Sequence, residues 1–293
     1  MSPSNSLLHL AWDSIAERPT LGGAIVLRQE AELLARARRL STLCVHWDGD
    51  ATGAPGALAI RLARLVFGAS AFACEFTSAP SPADVWPTAE TRRDAGFSYF
   101  SFRRLLNWHR RHGEAPRLAW SEETTKNAED ARRRFPGKLV CLHLKYASPF
   151  RPEDSNADPV AWAEFLRARA RPGEFDFVLL GDDLPPGIAG IPGVSRAADA
   201  GIELGAQLCL VGRSNAFLGM ASGVCTAANF SDVPHVIFKH PAHHPVEMER
   251  ELDSGDRFPF ATSRQRLWRR EGNTAALHEA LDLVLSCSCV RQT

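Results

Sequence analysis

AFLGMASGVCTAANFSDVPHVIFK, residues Ala216 to Lys239, decides the fold of this chain. Ala216–Met220 is a short apolar run of strand length, and Ala221-Ser222-Gly223 ends it with three small residues. Gly223–Phe230 then reads as a helix, Asp232-Val233-Pro234 as a break, and His235–Phe238 as a second apolar strand. Strand, helix and strand in such quick succession predict parallel strands joined by a crossover helix.

The turn inside this unit carries chemistry. Small residues between a strand and a helix let the backbone approach a ligand closely. The first helical amides have no intrahelical partner and sit at the positive end of the helix dipole, so they suit a phosphate. Ser222 and Thr226 add hydroxyls to the amides at Gly223 and Val224. The same residues also read as a plain tight turn with Ser222 as its N-cap.

Working outward, the pattern repeats on both sides. Upstream lie strands over Leu139–Leu144 and Phe175–Leu180 and helices over Asp158–Arg171 and Ile202–Val211; Asn273–Leu285 closes as an amphipathic helix. Pro159 is compatible with a first helical turn. The amino-terminal half has strands at Leu7–Trp12, Leu43–Trp47 and Ala71–Phe76. Its helices are expected over Gly22–Leu40, with Ile25, Leu33, Leu34 and Ala37 on the apolar face, and over Ala57–Val66, Phe100–Arg111 and Glu122–Arg134. The β/α pattern restarts after Pro136-Gly137. The expectation is therefore an α/β protein of two Rossmann-like β/α/β domains facing a cleft, residues 1–136 and 137–293. In such sheets ligands lie beyond the carboxyl ends of the strands.

The segment from 138 to 285 resembles the carboxyl-terminal half of GT-B glycosyltransferases, in particular the heptosyltransferase-like and fucosyltransferase-like groups. The resemblance rests on LGAQLCLVGRSNAFLG (Leu204–Gly219) leading into the Ser222-Gly223 turn, and on VCLHLKYASPFRPEDSNADPVAWAEFL (Val140–Leu166). Ala221 stands where heptosyltransferases carry an acidic residue. The resemblance implies a metal-independent transfer of a sugar from a nucleotide-sugar donor to a glycan or other hydroxyl-bearing acceptor. It places the donor diphosphate against Ser222, Gly223 and the Val224 amide, and makes the nucleotide sugar a substrate, with no cofactor. Lys145 leaves its strand where donor phosphates would lie, or is simply a solvated lysine; His143 alternates with Leu142 and Leu144 and faces one side of the sheet. Lys239 and His240 end a strand on the donor side, and Gly22-Gly23 border the acceptor. A general base must take the acceptor's hydroxyl proton. Asp13 and Asp48, each just past a strand, are the candidates, though each also reads as a turn or capping residue.

Composition narrows the alternatives. Lys+Arg and Asp+Glu both number 34, for a net charge of +0, and nothing in that balance suggests nucleic-acid binding. No apolar run approaches the ~20 residues of a membrane span, and Met1–Leu10 lacks the pattern of a signal peptide. The seven cysteines are scattered, with Cys44, Cys141 and Cys209 inside apolar runs, which fits a reducing cytoplasm. His240, His243 and His244 with Glu247 and Glu249 match no zinc template, and Pro241 and Pro245 predict an irregular loop, so no metal is expected. The serine of Gly219-Met220-Ala221-Ser222-Gly223 is one place late for a hydrolase elbow, which leaves a serine hydrolase as an alternative, beside a non-catalytic nucleotide- or glycan-binding protein of the same fold. Cys225 reads as helix packing. No G-x-G-x-x-G follows the first strand and no P-loop occurs. Most of the Arg-rich stretches read as solvated helix faces, with Arg103, Arg104 and Trp108 as candidates for holding an acidic or carbohydrate acceptor.

Overall fold

The computed structural model describes residues 7–13, 20–48, 54–79, 82–91, 102–146, 156–253 and 255–286. Two compact units divide at Glu122/Glu123, one helix before the seam expected at 136/137.

The first unit is built on a three-stranded parallel sheet of order β1-β2-β3, formed by β1 (Leu7–Asp13), β2 (Thr42–Asp48) and β3 (Ala73–Thr77). The β1–β2 register pairs Leu7 with Thr42 and ends with Asp13 opposite Asp48. Helices α1 (Leu21–Arg38) and α2 (Ala54–Gly68) make the crossovers, and α3 (Arg103–His112) follows. The Thr20 hydroxyl caps α1 by accepting from the Gly23 amide at 3.0 Å, and Arg39, left-handed at φ 57°, ends it.

Helix α1 is buried from Gly23 to Ala35, charges included, so its apolar stripe understates how deeply it sits. Each buried charge is answered. Arg28 Nε reaches Glu32 at 2.6 Å and its Nη1 donates to the Val66 carbonyl, while Glu32 also accepts from the Ser70 hydroxyl and the Ala119 amide. Glu30 accepts from Arg104 Nε at 2.9 Å and from Trp86 Nε1 at 3.1 Å. Removing one partner of such a buried pair typically costs ~3–5 kcal/mol, because a lone charge is left behind. Arg104 is therefore committed to the core, and Trp108 Nε1 donates to Glu114 at 3.1 Å. Ala37, expected on the apolar face, is exposed, whereas Ile25, Leu33 and Leu34 are buried.

The second unit is a six-stranded parallel sheet of order β6-β5-β4-β7-β8-β9. Its strands are β4 (Lys138–His143), β5 (Phe175–Leu179), β6 (Val194–Arg196), β7 (Ala216–Met220), β8 (His235–Phe238) and β9 (Gln265–Trp268). Its helices are α4 (Glu122–Arg133), α5 (Pro159–Arg169), α6 (Leu204–Val211), α7 (Gly223–Asn229), α8 (Pro245–Glu251) and α9 (Thr274–Leu285). The strands β7 and β8 are buried at every position, as expected of strands covered on both faces, whose sequences are nearly continuous apolar runs. On one face Trp162 of α5 meets Phe165 and Phe238 edge-on, and Leu277, Ala280, Leu281 and Val284 of α9 close the same core. Each large apolar side chain so buried contributes roughly 1.5–3 kcal/mol. Asp158 and Asn273 cap α5 and α9, the latter by accepting from the Ala276 amide at 2.9 Å.

Three elements lie outside the sequence expectation. The strands β6 and β9 are short and sit at the sheet's two edges, where a polar alternation such as Gln265-Arg266-Leu267-Trp268 suffices. Helix α8 corrects the irregular loop: Pro245 occupies its first turn, where a missing N–H does no harm, after His244 turns the chain at φ 48°. Among the described residues, no helix is long and apolar enough to cross a membrane.

Candidate functional site

The strand order of the second unit selects the site. From β4 the chain winds through β5 to β6 on one side, then returns to β7 and winds through β8 to β9 on the other. Neighbouring crossovers at β4 and β7 thus leave in opposite directions, and the crevice between the carboxyl ends of those two strands is where doubly wound sheets bind ligands. Leu142 pairs with Leu218 and His143 with Gly219, so the next residues, Leu144-Lys145 and Met220-Ala221-Ser222, emerge side by side at that point. The strands approach closely here for a reason visible in Gly219: a Cβ there would stand 2.7 Å from the His143 carbonyl oxygen.

Ser222 is the N-cap of α7; its hydroxyl accepts from the Cys225 amide at 3.5 Å and donates to the Cys225 sulfur at 3.4 Å. The amides of Gly223 and Val224 precede the first intrahelical hydrogen bond. Thr226 is buried, and its hydroxyl lies 3.5 Å from the Ser222 carbonyl, so it braces the turn from behind. Gly223 is not among the positive-φ residues, so its value at this position is the absence of a side chain and not an unusual backbone conformation.

Two cations and two imidazoles lie at the ends of the strands β4 and β8, which flank β7. Burial lowers the Lys145 pKa, while Asp183 and then Cys225 push it back up. Asp183 also accepts from the Tyr146 amide at 3.1 Å, which fixes the carboxylate beside the lysine. His143 is buried, and that burial, helped by the Lys145 charge, lowers its pKa to about 4. Its Nδ1 lies 3.2 Å from the Leu180 carbonyl, which can only accept, so the neutral ring carries its proton on Nδ1. Gly181, at φ 78°, brings the chain after β5 against this ring, and a Cβ there would stand 3.4 Å from His143 Cε1. One strand over, burial lowers the Lys239 pKa to about 8, with Glu251 opposing the shift. His240 follows and accepts from the Ala242 amide at 3.2 Å; beside it a depression of about 590 Å³ is lined by Arg269, Arg270, Asn273 and Glu279.

Other expectations fall differently. Cys225 is buried, donates from sulfur to the Met220 carbonyl at 2.6 Å, and has its pKa raised by burial to about 12, so it is no thiolate nucleophile. Ser222 is occupied with Cys225 and meets no imidazole among the hydrogen bonds of the described residues, which leaves a serine hydrolase without its base. In the first unit Gly22 and Gly23 lie within the first turn of α1, one residue past its start. The backbone sets Asp13 and Asp48 opposite each other at the carboxyl ends of β1 and β2, while their side chains lie outside the described part of the structure. Asp183 and Gly181 complete the neighbourhood of Lys145 without having been singled out by sequence. The run Gly181-Asp182-Asp183 after an apolar strand was the signal, because strand-end loops face the switch point.

No known protein-family profile matches this sequence, and no curated protein matches it. Solved structures do. A glycosyl transferase family 9 protein from Veillonella parvula is similar over 100% of this chain and 92% of its own, with a TM-score of 0.51 and 14% identity. The glycosyltransferase TibC of enterotoxigenic E. coli, described as iron-containing and dodecameric, matches 95% of this chain and 76% of its own at a TM-score of 0.47 and 12% identity. The E. coli heptosyltransferase WaaC, solved with an ADP-2-deoxy-2-fluoro heptose, matches 85% and 76% at a TM-score of 0.35 and 10% identity. At such identities a likeness speaks for fold alone: the chain has the α/β fold, built on parallel sheets, of the glycosyl transferase family 9 structure.

Proposed function

We propose that this protein is a glycosyltransferase that moves a sugar from a nucleotide-sugar donor to a hydroxyl of an acceptor without a required metal ion. The observation that carries the reading is the placement of Lys145 and the Ser222-Gly223 turn on the two strands that flank the switch point of the second sheet. In this reading Lys145 and the amides of Gly223 and Val224 receive the donor's diphosphate. When the glycosidic bond breaks, negative charge collects on that leaving group. A half-buried ammonium and fixed amide dipoles stabilise it there, the electrostatic work that a divalent ion performs elsewhere. Lys239 and His240 flank the donor on the next strand, and Asp13 or Asp48 takes the acceptor's proton. His143 stays neutral behind Lys145, so it adds no competing charge.

Calorimetric titration with UDP, GDP, ADP, CMP and dTDP tests the seat. A hydrogen bond to a charged group is worth ~1.5–3 kcal/mol, or roughly ten- to hundredfold in affinity. Lys145→Ala should weaken the preferred nucleotide within that range, and Ser222→Ala, which removes the cap that holds the turn, should weaken it less. Gly223→Val, which puts a branched side chain where the diphosphate approaches, should weaken it more. Unchanged affinity in a folded Gly223→Val protein would remove the seat from this turn. Donor-dependent sugar transfer distinguishes an enzyme from a protein that only binds nucleotides.

A further inference from the structure

The first unit holds a cluster that the reading above does not use. The β1–β2 register pairs His9 with Cys44, and His46 follows Cys44 by two residues on the same strand. Alternation along a strand therefore puts all three side chains on one face of the sheet. They meet: His9 Nδ1 lies 2.8 Å from His46 Nε2, the Cys44 sulfur lies 3.6 Å from the same nitrogen, and all three atoms fall within 4.8 Å of one another. Cys44 and His46 are buried and His9 is half-buried. Among the described residues, this is the one place where three such ligand atoms converge.

We propose that His9, Cys44 and His46 form a structural metal site that binds a borderline-soft divalent cation of the Zn²⁺ class and clamps β1 to β2. The donor set is one thiolate and two imidazoles, the ligand types that such ions favour over hard cations. Zinc bonds of ~2.0–2.1 Å to nitrogen and ~2.3 Å to sulfur at tetrahedral angles place S and N about 3.5 Å apart and the two N atoms about 3.3 Å apart. The separation between the Cys44 sulfur and His46 Nε2, 3.6 Å, already has that value, and the imidazoles need to part by only about half an ångström. His46 also has the outer partner that metal-bound imidazoles use: its Nδ1 lies 3.1 Å from the Ala79 carbonyl, so Nδ1 carries the proton and Nε2 turns its lone pair to the centre. On binding, the Cys44 thiol gives its proton to solvent, and the His9 proton that bridges Nδ1 to His46 Nε2 in the metal-free protein is lost from Nδ1 while Nε2 takes one up from solvent, so that both lone pairs face the ion. Glu75, the register partner of Cys44 on β3, or a water completes the coordination. The site lies within the strands, before the ends that carry Asp13 and Asp48, so its effect is on the register of those ends and not on the chemistry.

The test uses the full chain, stripped with a chelator and titrated with Zn²⁺ and separately with Co²⁺. One equivalent should bind, raise the melting temperature, and with Co²⁺ give the visible bands of a tetrahedral thiolate complex. Cys44→Ser should abolish the thiolate band. His46→Gln should weaken Zn²⁺ by more than the roughly 10–100-fold that losing an outer-shell partner costs. A variant with His240, His243 and His244 all changed to Gln, and another with Cys287 and Cys289 changed to Ser, should bind as the parent does. No thiolate band in the unaltered chain would overturn the proposal without reliance on any variant. A band that survives Cys44→Ser, or disappears with Cys287 and Cys289, would overturn it as well.

Discussion

His143 should make the second unit acid-sensitive, and the size of the effect follows from where the ring sits. It is buried beneath the carboxyl end of β4, next to the Lys145 ammonium, and its pKa is lowered from 6.5 to about 4. Between those two values the unfolded chain binds a proton that the folded chain refuses, so stability falls as pH falls through this window and is unaffected by His143 above it. Each unit of separation is worth 1.36 kcal/mol, so going from pH 7.5 to pH 4.5 costs about 2.5 kcal/mol from this one group. His143→Gln keeps a donor for the Leu180 carbonyl and removes the titration. Urea unfolding at both pH values, followed by circular dichroism and tryptophan fluorescence, gives the difference between parent and variant. The variant should lose less stability on acidification by that amount. An independent reading comes from the His143 ring proton in the folded protein, whose NMR titration should have its midpoint well below 5. A midpoint near 6.5, or identical acid dependence in a folded His143→Gln protein, would refute the reasoning.

Two further outcomes follow from the same edge of the sheet. Cys225→Ala should leave nucleotide affinity within a few-fold, and the parent thiol should resist alkylation at pH 7 as long as the protein is folded, because burial holds it protonated; rapid stoichiometric labelling of Cys225 would count against this. Gly219→Ala should destabilise by ~1–3 kcal/mol in urea titrations, since overpacking against the His143 backbone cannot be relieved by a side-chain rotation; a parent-like midpoint would mean that β4 and β7 separate at little cost.

Much of the second unit was legible because burial on both faces writes itself into sequence. Ala216–Met220 and His235–Phe238 are apolar runs bounded by Gly, Pro and Asp, and the structure gives both strands the expected bounds. The helices expected from Asp158 and Asn273 begin there, with those two residues as their N-caps. Edge strands escape such reading, since half of their positions face water and no periodicity survives in three or four residues. Pro245 shows a different failure, in which a residue taken for a loop marker serves as a helix opener once the preceding His244 turns the chain. In α1, Arg28, Glu30 and Glu32 interrupt the apolar pattern of a helix that is buried regardless, because, beyond the Arg28–Glu32 pair within the helix, their partners come from segments far along the chain.

The two candidate sites differ in the kind of information that builds them, and this decides which was visible. The phosphate seat is local. Its small residues, cap and helix start are consecutive, so the order Ala221-Ser222-Gly223 announces a turn before any strand is paired. Lys145 joins it through strand order, a rule general enough to apply from sequence once β4 and β7 are known to be neighbours. The His9–Cys44–His46 cluster is non-local in a stricter sense: it depends on register, and a slip of one residue between β1 and β2 would turn His9 to the opposite face from Cys44. Read singly, Cys44 is a small hydrophobe in an apolar strand and the two histidines are alternating polar positions. Only the pairing of His9 with Cys44 makes them a set. The reverse holds for His240, His243 and His244, which are close in sequence yet have ring centroids more than 6 Å apart, at 6.3 Å and 6.2 Å for successive pairs. Proximity along the chain suggested a cluster that the turn spreads out, while the sheet assembled one from residues with no common motif.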